Sequence, residues 1–548
     1  MGALLALTLI ATACGGEGDT SDEPGDESGD TDTGDTDTSD DEDAAGDDGD
    51  DGDGESADGG DAGVLVVGTT ERPSTIDPSE VYEKFASDLL FNTTDRLVEL
   101  EPGSGDAVPG VAESWEISDD GLTYTFTLRE GVVFQDGSEL TSEDVKWSLE
   151  RSLNVNHPDG AAFLIGAIES IETPDDLTVE ITINQPNVTF LSRLAYTVGT
   201  ILPSDSDAYS APDSPLEEPS AEEAGEFIQG ETIVGSGPYQ MTSYSPDQGA
   251  TLEVWDGYWG EAPLIPTVRI QFFESAAQMT NALRNGEIDL NINDLGPAER
   301  TAMEAEEGIE VQIGDGGRTR YIVLDVTQAP FDDPDVRQAM AINIDRQRII
   351  DEVFEGAGQP LFSMVPPGYP ASRDYISDLE VSLDEPVDIE LWYPLNKYGD
   401  TEAQVAEVIG RSLNESGQFN VTTQSADWAA EYAGNLNTGA YKAYLLGWYP
   451  DYIDPDDYIE PFYHSEKTFL GFYGSDEMDA LIDEEQQVTD LDAREDIFDE
   501  IQELAAEDMP IIPLYEESAT AYYVDDLTGV ENSIDIAIQS RWNLIGKS

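Results

Sequence analysis

Cysteine is almost absent from this sequence. Cys14 is the single one in 548 residues, which excludes an intramolecular disulfide framework and a thiolate zinc site. Histidine is nearly as scarce: His157 and His464 leave little room for a His-ligated metal or a nucleophile–His triad. Bases are few as well. The 23 Lys and Arg, of which 6 are Lys, stand against 118 Asp and Glu, for a net charge of -95. A chain so anionic repels phosphate, so a nucleic-acid binder that works by neutralising phosphates is excluded. Long apolar runs are missing too. The run at residues 2–13 is about 12 residues, too short to cross a bilayer. No HExxH, GxSxG or Walker loop occurs. What is present is length and aromatic mass: 8 Trp, 23 Tyr, 17 Phe and 39% hydrophobic residues can build several cores. Length alone predicts about two to four domains.

The negative charge is spread through the chain. Residues 17–62 hold 22 acids and no base, and residues 63–548 keep 96 acids against 23 bases. A folded body with that imbalance repels itself, and salt screens the repulsion. The composition therefore predicts a protein that works in high salt, as halophile proteins do; an ordinary acidic protein is the alternative. At the N-terminus, the apolar run has the length of a signal-peptide h-region. Ala11, Thr12 and Ala13 precede Cys14 directly, which resembles a lipobox, with Ala11 where Leu is usual. The reading is a signal peptide over residues 1–13, a lipidated Cys14, and an acidic tether over 14–63. Residues 15–62 have almost no apolar side chain to offset ordering entropy, so disorder is expected there. The tether contains no EF-hand calcium loop.

Strand and helix signals mix along the body, so the fold class is α/β or α+β. Val64–Gly68 reads as a buried strand. Residues 85–100, with Phe85, Leu89, Leu90 and Leu97, read as a helix. Leu122–Leu128 and Leu177–Ile183 alternate as half-buried strands. Thr141 with Asp144 predicts a helix start, and Asp333-Pro334 another, running on through Val353 to Gly356. Residues 203–224 read as loop. Gly235–Tyr239 is neither a Walker loop nor GxGxxG; a tight turn entering a strand is its plain reading. A strand at 444–448 leads into Tyr449–Pro455, a loop of aromatic and acidic residues.

Five blocks carry a family resemblance. They are Val111–Trp115 with Ser118–Arg129, Val133–Gly137 and Asp144-Val145; Gly235–Tyr239; Tyr258–Gly260; Phe331–Ala339; and Gly447 through Pro455. In this order they resemble the peptide-type solute-binding proteins of ABC importers, extracellular family 5, over about residues 64–540. The resemblance implies a two-lobed α/β fold like periplasmic binding proteins of class II, enlarged by a subdomain near 101–230. Lobe 1 takes residues 64–317, lobe 2 takes 318–510, and 511–548 return to lobe 1. Arg320–Leu324 and Pro510–Tyr515 stand as the two hinge crossings. It also implies a monomer outside the cell, lipid-anchored to the membrane and delivering solute to permease subunits, with no cofactor, no metal and no catalytic residue.

In such receptors an Asp after a Gly-Trp pair takes a peptide's α-ammonium. Here Gly447-Trp448 place Asp451 in that role, with Asp454 and Asp456 as alternatives. A carboxylate in a closed, dry cleft makes a strong charge-assisted bond to an ammonium. Trp448, Tyr452 and Trp428 are candidate apolar walls. Tyr82, Glu83 and Lys84 follow Ile76-Asp77-Pro78, which resembles the family's Leu-Asp-Pro beside the pocket, and Tyr515 on the return crossing is a further candidate. Each of these also fits plain core packing or a solvated surface. Asp456 after Asp454-Pro455, where nickel-binding relatives carry His, argues against a His-ligated nickel complex. Two other functions stay open: the same receptor role for a sugar, opine or other small amine, and a secreted hydrolase using paired carboxylates.

Overall fold

The computed structural model describes residues 63–101, 105–157, 160–205, 233–293, 295–314, 316–395, 397–398, 401–467, 472–533 and 540–548. Cys14, the signal segment, almost all of the acidic tether and most of the loop expected at 203–224 lie outside these residues.

Two large sheets organise the body. The first has seven strands, in the order Ile309–Ile313, Thr520–Val524, Leu290–Asn291, Val64–Thr69, Thr267–Phe272, Gly249–Val254, Tyr239–Ser245. Val64–Thr69 is its middle, paired in parallel with Thr267–Phe272 and Leu290–Asn291. The second has six strands, in the order Gln359–Pro360, Ile511–Glu517, Arg318–Leu324, Ala443–Trp448, Val387–Leu395, Phe419–Asp427. All seven residues of Arg318–Leu324 are buried, as a strand covered on both faces requires. A four-stranded antiparallel sheet, Ala112–Ile117, Thr123–Leu128, Thr178–Ile183 and Ile168–Asp175, forms a third layer inside the sequence of the first. Its alternating strands turn Tyr124, Phe126, Leu128, Val179, Ile181 and Ile183 into one core.

Among the described residues the chain passes from the first sheet to the second between Ile313 and Arg318, and returns between Glu517 and Thr520. The expected return at 511 is corrected: Ile511–Glu517 is hydrogen-bonded along Arg318–Leu324 and belongs to the second sheet. Neither Arg320–Leu324 nor Pro510–Tyr515 is a crossing; both are strand interior or its immediate approach.

Several helices follow the sequence signals closely, and others stop earlier. Helix Ser142–Val155 starts where Thr141 and Asp144 predict, with the Thr141 backbone N–H donating to Asp144 Oδ2 at 2.8 Å. The helix expected over 85–100 spans Lys84–Thr93 only. Thr93 and Thr94 turn their hydroxyls back on Leu89 and Leu90 carbonyls at 2.7 Å, and the chain leaves into strand Val98–Leu100. The helix from Pro334 ends at Asn343, and Asp345 caps a second one, Arg346–Val353. Gly235 and Gly237 are demanded by close approach rather than by a turn: a Cβ would stand 2.3 Å from the Thr93 carbonyl oxygen and 2.6 Å from the Thr94 nitrogen.

Candidate functional site

The site is built on the end of strand Ala443–Trp448. Gly447 lies opposite Arg320 on the neighbouring strand, and its missing side chain makes room for that guanidinium: a Cβ would be 2.5 Å from Arg320 Nη1. Beyond Trp448 the chain turns, and Asp454 caps the short 3-10 helix Pro455–Tyr458 by accepting from the Asp456 N–H at 2.9 Å. The turn and the cap bury Asp451, Asp456 and Asp457, which are 3%, 0% and 0% exposed.

These acids have different fates. Asp454 is held by both Nη atoms of Arg494, at 2.6 and 2.8 Å. Asp456 accepts from Arg193 at 2.6 Å, from the Tyr452 hydroxyl at 2.8 Å and from Gln486 at 3.0 Å. Burial pushes the Asp456 carboxyl up, but Arg193, Arg494 and the hydrogen bonds of Glu485 and Gln486 together hold the group well below the usual carboxylate range. Asp451 and Asp457 have no basic side chain within ion-pair distance among the described residues. Asp451 accepts from the Tyr82 hydroxyl at 2.8 Å, a contact that joins a segment of the first sheet's half to the second sheet. Asp457 accepts from Trp448 Nε1 at 2.9 Å and from the Asp451 N–H at 3.3 Å. Burial pushes Asp451 up to about 7, against the Tyr82 bond and Arg193. Burial, and then the charge of Asp451, raise Asp457 well above the usual carboxylate range.

A second wall lies beside Gly447. Arg320 is buried between Glu402 at 3.5 Å and Glu517 at 3.2 Å, with its guanidinium 4.1 Å from the Tyr398 ring centre. Burial pushes Glu402 up to about 7 despite Arg320. Trp428 stacks on Tyr432 at 5.9 Å and meets Tyr398 edge-on at 6.2 Å, while the Lys397 ammonium stands 4.8 Å over its ring. Glu71 and Glu83 lie near enough to favour the Lys397 charge.

Of the residues singled out by sequence, the structure brings Tyr82 onto Asp451 and leaves Trp428 half-buried among aromatic rings. Four others sit in packed or ion-paired surroundings. Trp448 is core: its ring packs edge-on to Phe462 at 5.1 Å while its N–H holds Asp457. Tyr452 is buried in the core of the four-stranded layer, under Arg193. Tyr515 is fully buried against Phe354 at 4.8 Å, because 511–517 is a strand of the second sheet. Lys84 is spent on Asp88, one helical turn along, at 3.1 Å. Glu83 accepts from the Ser74 N–H at 2.9 Å. Sequence reasoning missed Asp457, Arg193, Lys397 and Tyr398. The doubled acid Asp456-Asp457 just after a capping Asp-Pro is the one local signal that could have marked Asp457.

The comparisons agree with this architecture. The model of the family described as bacterial extracellular solute-binding proteins, family 5 Middle, matches residues 106–469. Di/tripeptide-binding protein 3 of Pseudomonas aeruginosa is 28% identical over 500 residues, covering 83% of this chain and 89% of that protein. Heme-binding protein A of Haemophilus influenzae is 30% identical over 497 residues, covering 81% and 86%. The periplasmic binding protein DppA from Helicobacter pylori, solved in complex with the peptide STSA, superposes with a TM-score of 0.74 at 25% identity, covering 88% of this chain and 98% of that one.

Proposed function

The chain belongs to the bacterial extracellular solute-binding proteins of family 5, and from that premise we propose that it captures peptides between its two lobes and delivers them to an ABC permease. One observation carries the choice of ligand: Asp451 is a buried carboxylate bridged from the other lobe by Tyr82, while Asp454 and Asp456 are already occupied by Arg494 and Arg193. A free α-ammonium supplies the cation that this carboxylate lacks, in a dry place where a charge-assisted bond is strong. Strand-like pairing with the peptide backbone adds affinity without reading sequence. Trp428, Tyr398 and Lys397 form the wall that meets the rest of the ligand. Peptide-binding relatives support the same reading.

Calorimetry on Asp451→Asn tests it. Breaking a buried charge pair costs on the order of 2–5 kcal/mol, or roughly 30- to 5000-fold in affinity. N-acetylating the peptide removes the same charge from the other side, so the two losses should not add. Additive losses overturn the contact. Binding of non-peptide amines in place of peptides moves the ligand to the small-amine class and leaves the receptor role intact. We also assign Cys14 as a lipid anchor outside the cell. Two acyl chains hold a protein on a membrane where one is marginal, so Cys14→Ala should release it to the medium; membrane partition like wild type refutes the anchor. Turnover of peptides or glycosides by the purified chain would contradict a role as receptor alone.

A further inference from the structure

Two carboxyls stand at the proposed ammonium position, and among the described residues no basic side chain lies within ion-pair distance of either. The inference rests on Asp451 as the ammonium receptor. Asp451 and Asp457 belong to one turn, with the Asp451 N–H donating to Asp457 Oδ2 at 3.3 Å. They are 3% and 0% exposed. From the first lobe, Tyr82 donates to Asp451, and Tyr196 faces both acids. From their own turn, Trp448 donates to Asp457, and Asp456 stands close by. Tyr458 and Tyr369 face Asp457 from the second lobe. Arg193 is the base that acts on Asp451, from a distance, with its guanidinium bonded to Asp456 at 2.6 Å and Glu460 at 2.5 Å. Asp457 Oδ1 is buried with no hydrogen-bond partner. Two buried carboxylates of one turn that repel each other, with no cation at ion-pair distance among the described residues, do not both ionise.

We propose that Asp451 and Asp457 hold a proton between them near neutral pH, and that capture of the ligand's ammonium releases it to solvent. Asp457 is the positioning residue: its carboxyl in the same buried turn keeps the proton on the pair, and Trp448 fixes its place. The step balances as a protonated carboxyl plus R–NH3+ giving a carboxylate–ammonium pair plus H+. Burial acts in the same direction: it pushes Asp451 up to about 7, and together with the charge of Asp451 it raises Asp457 well above the usual carboxylate range. The pair titrates as one unit. An α-ammonium stays charged through this range, its own value being near 8. Affinity therefore falls about tenfold per pH unit below about 7, and an acidic medium favours release of the ligand.

Titration calorimetry on the full chain with alanine di- and tripeptide, at pH 6 in two buffers of different ionisation heat, counts the protons. About one proton leaves per peptide bound. Asp457→Asn moves the midpoint of the affinity–pH curve down by about a unit. Binding by wild type with no buffer-dependent heat overturns the proposal and leaves Asp451 as receptor. An unmoved midpoint in Asp457→Asn places the proton on Asp451 alone and overturns the sharing. Undiminished binding by Asp451→Asn, or no binding of either peptide by wild type, overturns the receptor reading instead. Difference potentiometric titration of ligand-free wild type against Asp451→Asn gives a check without peptide: a missing group near pH 7 is expected, and a missing group in the ordinary carboxylate range refutes the proposal.

Discussion

Tyr82 packs edge-on to Phe163 at 5.6 Å and to Tyr196 at 6.0 Å, so its hydroxyl is aimed by packing before it reaches Asp451. Tyr82→Phe keeps those ring contacts and removes one donor to a carboxylate. A hydrogen bond to a charged group is worth about 1.5–3 kcal/mol, so peptide affinity at pH 7 should fall by roughly 10- to 150-fold with little change in melting temperature. An equal affinity by calorimetry would show that the hydroxyl does not support the ionised Asp451. Gly447 is constrained from the other side. A Cβ there meets the Arg320 guanidinium, which Glu402, Glu517 and Tyr398 already hold in place. Gly447→Ala should cost about 1–3 kcal/mol of stability through overpacking, read as a lower denaturation midpoint; an unchanged midpoint would mean that Arg320 can move aside.

Among the elements, the short helix Phe190–Leu194 and the 3-10 helix Pro455–Tyr458 are coupled chiefly by Arg193. Arg193 of the first reaches Asp456 of the second and Glu460 just after it, and Thr189 adds a bond to Asp456 at 3.3 Å. The Val188 N–H also donates to the Gln486 carbonyl at 2.8 Å. Removing one partner of a buried ion pair strands the other, at a cost of about 3–5 kcal/mol. Arg193→Leu should therefore weaken closure: the radius of gyration in small-angle scattering should rise, and denaturant stability should fall. Unchanged scattering with lower stability would make Arg193 a stabiliser that does not hold the lobes together.

For the whole molecule, pH and salt act on buried and surface acids in different ways. Burial pushes Asp451, Glu402 and Glu516 up to about 7 and Asp95 up to about 6. A carboxyl raised in the fold contributes stability that is full below its unfolded value, about 4, and lost as pH rises through the folded value. Asp456 runs the other way: its contribution is present above the unfolded value and is lost only as pH falls through a folded value well below it. Stability should therefore be greatest at about pH 4 and fall as pH rises to about 7, so the melting temperature at pH 5.5 should exceed that at pH 8. The opposite order would mean that the raised acids are ionised in the fold. The surplus of 96 acids over 23 bases in residues 63–548 predicts that added salt raises the melting temperature at pH 8 by screening repulsion; full stability without salt removes the high-salt reading.

The family blocks, the strand alternation at 123–128 and 178–183, the capping pair Thr141 and Asp144 and the Gly-Trp signal before Asp451 were legible in the sequence, because each is a local pattern with a local cause: side-chain period, a cap three residues away, or a spacing. The ends of elements were less so. The helix from Lys84 stops at Thr93 because threonine hydroxyls and the approach of Gly235 and Gly237 end it, and those glycines lie some 140 residues away. Which acid stays without a cation was not legible at all. Asp451, Asp454, Asp456 and Asp457 are alike in sequence; only folding brings Arg193, Arg494 and Tyr82 to them from three other places in the chain. Composition and local pattern determined the mixed α/β class, and the family resemblance implied the two-lobed body and the segment that carries the site. Tertiary structure decided which side chain in that segment is left for a ligand, since charge pairing and burial are properties of residues that meet only when the chain is folded.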